Sequence, residues 1–397
     1  MAVTLACEAQ WLLHAAVARP AAAFYSGQFD PSSLFNIDFL ALSYMLVFLV
    51  AALPASWVLD RWGLGVGVGV GAVLTIVGSV GKGLFVASFG AQVGFQLVLA
   101  LAQPFLINAA TTLARDWFPV RERATAGGLA SLSQYLGFVA ALVAAPLLVQ
   151  SDPGRPGYGQ GMGMALGVFA VVGTVAGVLA LVLVRRGPNR NPADTEPDFL
   201  ASLQRLWSSR DFRWTLLLFF LGLGILNAVT AMTDGIAASL GVKDSDGLLG
   251  VGLIVGGMVG AIVLPLLSDH WGRRKALLVF CMTLAVPALA ALVWAPVGAY
   301  ALAIGAMALL GFALMSAGPI GFQYAAEVTT PVPESASQGV LLLAGQISGL
   351  VFTAGMSAAG ASGVRGWMVV FVVLAAVLAL LTLRLNESPA VSGGKKD

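Results

Sequence analysis

Apolar stretches of about twenty residues, each long enough to cross a bilayer as a helix, recur about twelve times along this chain between short breaks rich in Gly, Pro or charge. No other feature narrows the possible folds as far. The hydrocarbon of a bilayer offers the backbone no partner, so each crossing segment has to satisfy its own N–H and C=O groups, as a helix does. The alternation of Gly with Val from Gly63 to Gly71 would suit a strand in water. In lipid an isolated strand leaves its backbone unpaired, and a tightly packed helix is expected instead. Composition agrees: 58% of the residues are hydrophobic and 10% are charged, where a soluble domain carries roughly a quarter charged residues. Many of the 48 glycines lie inside the apolar runs, where they let helices approach backbone to backbone. The expected fold is an all-α membrane protein with twelve transmembrane helices.

The chain also repeats itself. Pro119, Glu122, Gly127, Gln134 and Gly137 return as Pro331, Glu334, Gly339, Gln346 and Gly349, all in one register (331 − 119 = 212). Asp60-Arg61-Trp62-Gly63 returns as Asp269-His270-Trp271-Gly272 (269 − 60 = 209). A shared skeleton at a fixed offset is the mark of internal duplication. Two pseudo-symmetric six-helix bundles are therefore expected, over 1–184 and 214–385. A polar cytoplasmic linker over 185–213 breaks the hydrophobic pattern between them, and a disordered cytoplasmic tail over 386–397 follows.

Sixteen of the 21 Lys and Arg residues fall in loops on one side of the expected spans and three on the other. Positive loops stay in the cytoplasm, which places both termini there, in a multi-pass protein of the plasma or inner membrane. A net charge of +2 is too small for a nucleic-acid partner. Cys7 and Cys281 fall in different spans without metal-ligand spacing. The only histidines, His14 and His270, lie one in a span and one in a loop. Neither metal nor acyl-transfer chemistry has its residues here, so no cofactor and no enzyme activity are expected.

The polar residues inside the spans are the candidates for function, because ionisable groups at membrane depth are costly. In helix 1, at 100° per residue, Glu8, Trp11, His14 and Arg19 fall within an arc of about 140°, so one face is polar and is expected to look into a cavity. Glu8 and Arg19, with Asp234 of helix 7, are the candidate coupling charges. Gln134 and Gln346 each lie twelve residues past a loop glutamate (134 − 122 = 12 and 346 − 334 = 12), about 18 Å along a helix and so near the bilayer midplane. Symmetry then predicts two amides facing each other across a central cavity, with Trp11 and Asn227 completing its wall and His14 and Tyr44 beside it. At the helix ends, Asp269, Arg273 and Arg274 are placed to form a charge cluster that gates the cycle. Asp60 and Arg61 are its first-half counterpart, and Glu327 adds a carboxylate.

Pro265, Asp269, Gly272, Arg273, Arg274 and Lys275 resemble the Asp-x-x-Gly-Arg-Arg loop of the major facilitator superfamily, with a degenerate copy at Asp60 to Gly63. Within that superfamily most of the chain is similar to the feline leukaemia virus subgroup C receptor-related transporters, which are implicated in choline, ethanolamine and haem movement. The likeness is carried by Gln10-Trp11, Phe24-Tyr25, the segment from Ile37-Asp38 to Tyr44-Met45, Gly321-Phe322, Ala326 to Thr329, and Ala344 to Ile347. It implies that the helix 1 Trp, the helix 5 Gln and the helix 11 Gln face the substrate, which match Trp11, Gln134 and Gln346. The family's helix 7 aromatic is replaced here by Asn227, and His14 stands where a phenol is usual.

The function expected is that of a secondary active or facilitative transporter moving a small polar organic solute by alternating access. An amine or organic cation of choline or ethanolamine type is the expected class. The alternative is a proton-coupled multidrug efflux antiporter, although Thr125 to Leu148 lacks the Gly-Pro pair that many such antiporters carry in helix 5. The partners expected are the substrate, the lipid bilayer and, if transport is coupled, protons. A monomer is expected.

Overall fold

The computed structural model describes residues 1–30, 35–37, 39–150, 156–184, 199–242 and 247–388. Of the linker expected over 185–213 the part from 185 to 198, and of the tail expected over 386–397 the part from 389, lie outside them, as do Asp38, Arg155 and Lys243, whereas Asn386 and Ser388 are held by hydrogen bonds to Asp211 and Glu327. The described residues form fifteen α-helices. In chain order these are α1 (Ala2–Ala16), α2 (Ala18–Phe24), α3 (Phe39–Leu84), α4 (Phe89–Ile107), α5 (Ala109–Trp117), α6 (Arg123–Leu148), α7 (Met162–Val184), α8 (Phe199–Ser208), α9 (Arg210–Ala231), α10 (Thr233–Ser239), α11 (Leu248–Trp271), α12 (Arg274–Trp294), α13 (Tyr300–Val328), α14 (Glu334–Ala358) and α15 (Gly360–Thr382). A 3₁₀ turn, Val120–Glu122, precedes α6.

Among the described residues, ten helical stretches are long and apolar enough to cross a membrane. Two departures from the expected twelve have local causes. Helix 1, expected to carry Glu8 to Arg19 on one unbroken helix, divides at Val17 (φ −132°, ψ 40°) into α1 and α2. Pro20 explains the division: it has no N–H, and its ring would collide with the carbonyl four residues back, that of Ala16, where α1 ends. Helices 2 and 3 join into the 46-residue α3, bent at Gly63 (φ 82°, ψ 169°). Gly272 (φ 59°, ψ 41°) closes α11 in the same way before α12 begins. Both repeats of the Asp-x-x-Gly pattern thus end on a glycine at positive φ, a conformation that costs L side chains dearly. The glycine recurs because the turn needs it.

The chain divides into two compact units, Met1–Ala110 with Ser133–Glu196, and Thr111–Leu132 with Pro197–Asp397. Residues 111–132, assigned from the repeat to the first bundle, pack with the second unit. In the first unit α3 packs along α4 and α7, and α1 lies against α3, α4 and α7. In the second, α11 runs along α13, α9 along α14, and α12 along α13 and α15. The α11–α13 contact is backbone to backbone: a Cβ at Gly256 would overlap the carbonyl of Ala308, and one at Gly311 that of Leu253. Dense contact of this kind replaces the hydrophobic drive that lipid does not supply. Outward-facing surface is apolar: Val168, Val171, Val172, Val175, Val178 and Leu179 of α7 are 44% to 64% exposed. Continuous apolar surface of this extent belongs against lipid.

Candidate functional site

In the first unit α1 is the organising helix. Trp11 is half-buried, and its indole N–H donates to the carbonyl of Ala41 at 2.7 Å. Its ring lies on that of Tyr44, centroids 5.3 Å apart and planes 13° from parallel, and meets Phe138 of α6 edge-on at 5.5 Å. Tyr44 is fully buried behind the indole, its hydroxyl donating to the Cys7 carbonyl at 3.4 Å. Tyr44 therefore backs Trp11 rather than lining open space. Gln134 stands one helical turn before Phe138, on the same face of α6. It is half-buried. The sequence reading missed Phe138, whose signal was the four-residue spacing from Gln134.

The polar face expected on helix 1 is not a single open face. The break at Val17 takes Arg19 onto α2, where it is exposed, while Glu8 and His14 are sealed at 0% and 1% exposure. Glu8 accepts from Gln103 Nε2 on both carboxylate oxygens, at 3.0 and 3.1 Å. His14 lies 6.4 Å from Tyr25 between ring centroids, and neither of its ring nitrogens has a hydrogen-bond partner among the described residues. Just past the end of α4, Asn108 Nδ2 donates to the Ala52 carbonyl and to Ser56 Oγ, both at 2.9 Å. The amides of Gln103 on α4 and of Asn108 just beyond it thus bridge helices in this unit.

In the second unit, Asn227 of α9 is half-buried and donates to the carbonyl of Gly345 at 3.4 Å, beside Gln346 on α14. Gln346 is half-buried, and its side-chain oxygen is shielded from solvent with no donor among the described residues. An amide with an unfilled acceptor next to a second amide is suited to a ligand hydroxyl or ammonium. The side chain of Asp234 lies outside the described residues.

The charge cluster is the best-formed feature of the second unit. Arg274, fully buried at the start of α12, donates through Nη1 to Asp269, through Nη2 to Glu327 Oε1 at 3.1 Å and through Nε to Glu327 Oε2 at 3.4 Å. Its Nη2 also reaches the Val120 carbonyl at 3.1 Å. Gln323 adds a bond to Glu327 at 2.8 Å, and Ser388 closes on the same carboxylate. Asp269 in turn accepts from the amides of Thr125 at 2.6 Å and Ala124 at 3.4 Å, and from Thr125 Oγ1 at 2.7 Å. Those amides belong to the first turn of α6, where N–H groups have no intrahelical partner and the helix dipole favours an anion. Asp269 thus caps α6 and pairs Arg274 at once. Thr111 and Gln338 add a neutral link at 2.7 Å. Of the other expected gating residues, Arg273 is exposed, whereas Asp60 is half-buried and Arg61 exposed at the α3 bend of the first unit.

The profile described as Major Facilitator Superfamily matches residues 13–353. The chain belongs to the major facilitator superfamily. Solute carrier family 49 member A3 of Xenopus tropicalis is 27% identical over 367 residues, covering 86% of this chain and 72% of that protein. The choline/ethanolamine transporter FLVCR2 of Homo sapiens is 26% identical over 367 residues, covering 87% and 67%. These relatives bear out the resemblance read from the motifs. Among solved structures, FucP, a transporter of the superfamily crystallised in the outward conformation, superposes with a TM-score of 0.77 at 14% identity over 98% of each chain. The proton:xylose symporter XylE superposes at 0.73 with 14% identity, over 96% of this chain and 93% of its own. These two likenesses are of fold. As a member of the major facilitator superfamily the chain is a multi-pass membrane transporter of a small molecule and not an enzyme.

Proposed function

We propose that this transporter carries a small organic amine of the choline or ethanolamine class, and that Trp11, Gln134, Asn227 and Gln346 bind it. The observation that carries the reading is the aromatic group of the first unit, a half-buried indole supported by Tyr44 and bordered by Phe138. An indole attracts an ammonium by about 0.5 to 2 kcal/mol. The unfilled acceptor of Gln346 supports the same reading from the second unit, as do relatives named choline/ethanolamine transporters. In this reading the Asp269, Arg274 and Glu327 network is a gate, holding the start of α6 in one state of the cycle.

Uptake of radiolabelled choline and ethanolamine into proteoliposomes, with affinity and melting temperature measured on the same preparations, tests the proposal. Gln134→Ala and Gln346→Ala should each weaken binding roughly tenfold to a hundredfold, because an unpaired buried polar group costs about 1 to 3 kcal/mol. Variants that melt earlier yet bind normally would remove both glutamines from the site. Proton coupling is the second reading, favoured by Glu8, a sealed carboxyl whose partner is the neutral Gln103. Uptake that ignores an imposed pH gradient would dismiss it.

A further inference from the structure

Lys82 is fully buried within the first unit, on the second arm of α3. Among the described residues its ammonium meets no carboxylate. It donates to Gln96 Oε1 at 2.6 Å and to the carbonyl of Gln10 at 3.3 Å. Gln96 is held in the matching orientation, its Nε2 donating to the carbonyls of Leu40 at 2.9 Å and Trp11 at 3.4 Å. With two carbonyls on one side and an ammonium on the other, the amide has one arrangement that satisfies all three. Gln92, one turn earlier on α4, donates to the backbone carbonyl of Lys82 at 2.9 Å. The chain of contacts runs from α3 through α4 to α1, and it ends on the two consecutive residues Gln10 and Trp11. Gln10 is itself tied to Ser79 Oγ and, at 3.3 Å, to the Phe169 carbonyl.

Removing an ammonium from water into a membrane interior carries a heavy desolvation cost, and an apolar side chain of the same length would fill the space without it. Direct contact with an ammonium substrate would be repulsive, so any role in amine binding has to act through another residue. We propose that Lys82 is a positioning residue for the amine site: through Gln96 and the Gln10 carbonyl it fixes the turn of α1 that bears Trp11, and so sets the presentation of the indole. This rests on the reading that Trp11 contacts the amine. Trp11 is then held from both ends, its indole N–H by Ala41 and its backbone by the Lys82 chain.

A double-mutant cycle on the purified full chain separates positioning from general support, with choline and ethanolamine as the probes and melting temperature as the control. Trp11→Ala should weaken binding about 2- to 30-fold, and Lys82→Met should weaken it by a similar factor. The double variant should bind no worse than Trp11→Ala alone, because the lysine acts only through the indole. Gln96→Glu serves if Lys82→Met does not fold: its carboxylate keeps Lys82 paired but has no donor for the Trp11 carbonyl, and its effect should likewise vanish when Trp11 is gone. Losses that multiply in the double variants, or normal binding by Lys82→Met or Gln96→Glu, would overturn the positioning role while leaving the amine site standing. Unchanged binding by Trp11→Ala would overturn the site itself, and the inference with it.

Discussion

Replacing Asp269 tests the charge network at the point where its geometry is most explicit. The carboxylate accepts two backbone amides and one hydroxyl from the first turn of α6 while pairing Arg274. Arg274 would keep Glu327 after the change, so the loss falls mainly on the α6 amides. A hydrogen bond to a charged group contributes about 1.5 to 3 kcal/mol, and each 1.4 kcal/mol is a factor of ten, so local opening at the start of α6 should become roughly 10- to 150-fold more frequent. Asp269→Asn retains one oxygen acceptor and belongs at the low end, and Asp269→Ala at the high end. Hydrogen exchange followed by mass spectrometry on peptides covering Ala124 and Thr125 reads this directly. Arg273→Ala, at an exposed position, should leave the same peptides unchanged. If Asp269→Ala exchanges there at the parental rate in folded protein, the cap is not what holds α6, and the gating argument built on it fails.

Gly311→Ala should lower the melting temperature in detergent, since overpacking a close helix contact costs about 1 to 3 kcal/mol and the added methyl would meet the Leu253 carbonyl. Gly305→Ala, on the same helix with open space around it, should be neutral or slightly stabilising, and equal losses at both sites would contradict the close approach of α11 and α13. For orientation, a single cysteine at the exposed Ala87 should react with an impermeant thiol reagent from outside and one at the exposed Ser208 only after permeabilisation. Native Cys7 and Cys281 are buried and give little background, and the reverse pattern would invert the topology.

Helices, spans and the repeat were legible in the sequence because lipid leaves each apolar stretch few conformations. The bend at Gly63 and the cap at Gly272 were legible as a repeated pattern, since only glycine sits easily at positive φ. The break at Val17 was also written there, in Pro20, but an apolar helix reading ran across it. The polar face of helix 1 was misjudged for a related reason. A periodicity argument assumes one unbroken helix and tells which residues share a side, but not whether that side is open or sealed. Glu8 and His14 proved buried and Arg19 exposed.

What the sequence determined by itself is the part governed by local rules and by solvent: an all-α membrane fold, a duplicated architecture, and the residue types available at each depth. What only the tertiary structure decided is partnership. No spacing predicts that Lys82 would meet Gln96 and the carbonyl of Gln10, or that Asp269 would cap a helix starting 146 residues earlier (269 − 123 = 146). Such contacts arise where helices distant in the chain bring unsatisfied groups together. A buried donor or acceptor takes the nearest partner that packing leaves it, and packing is a property of the whole unit rather than of any one stretch.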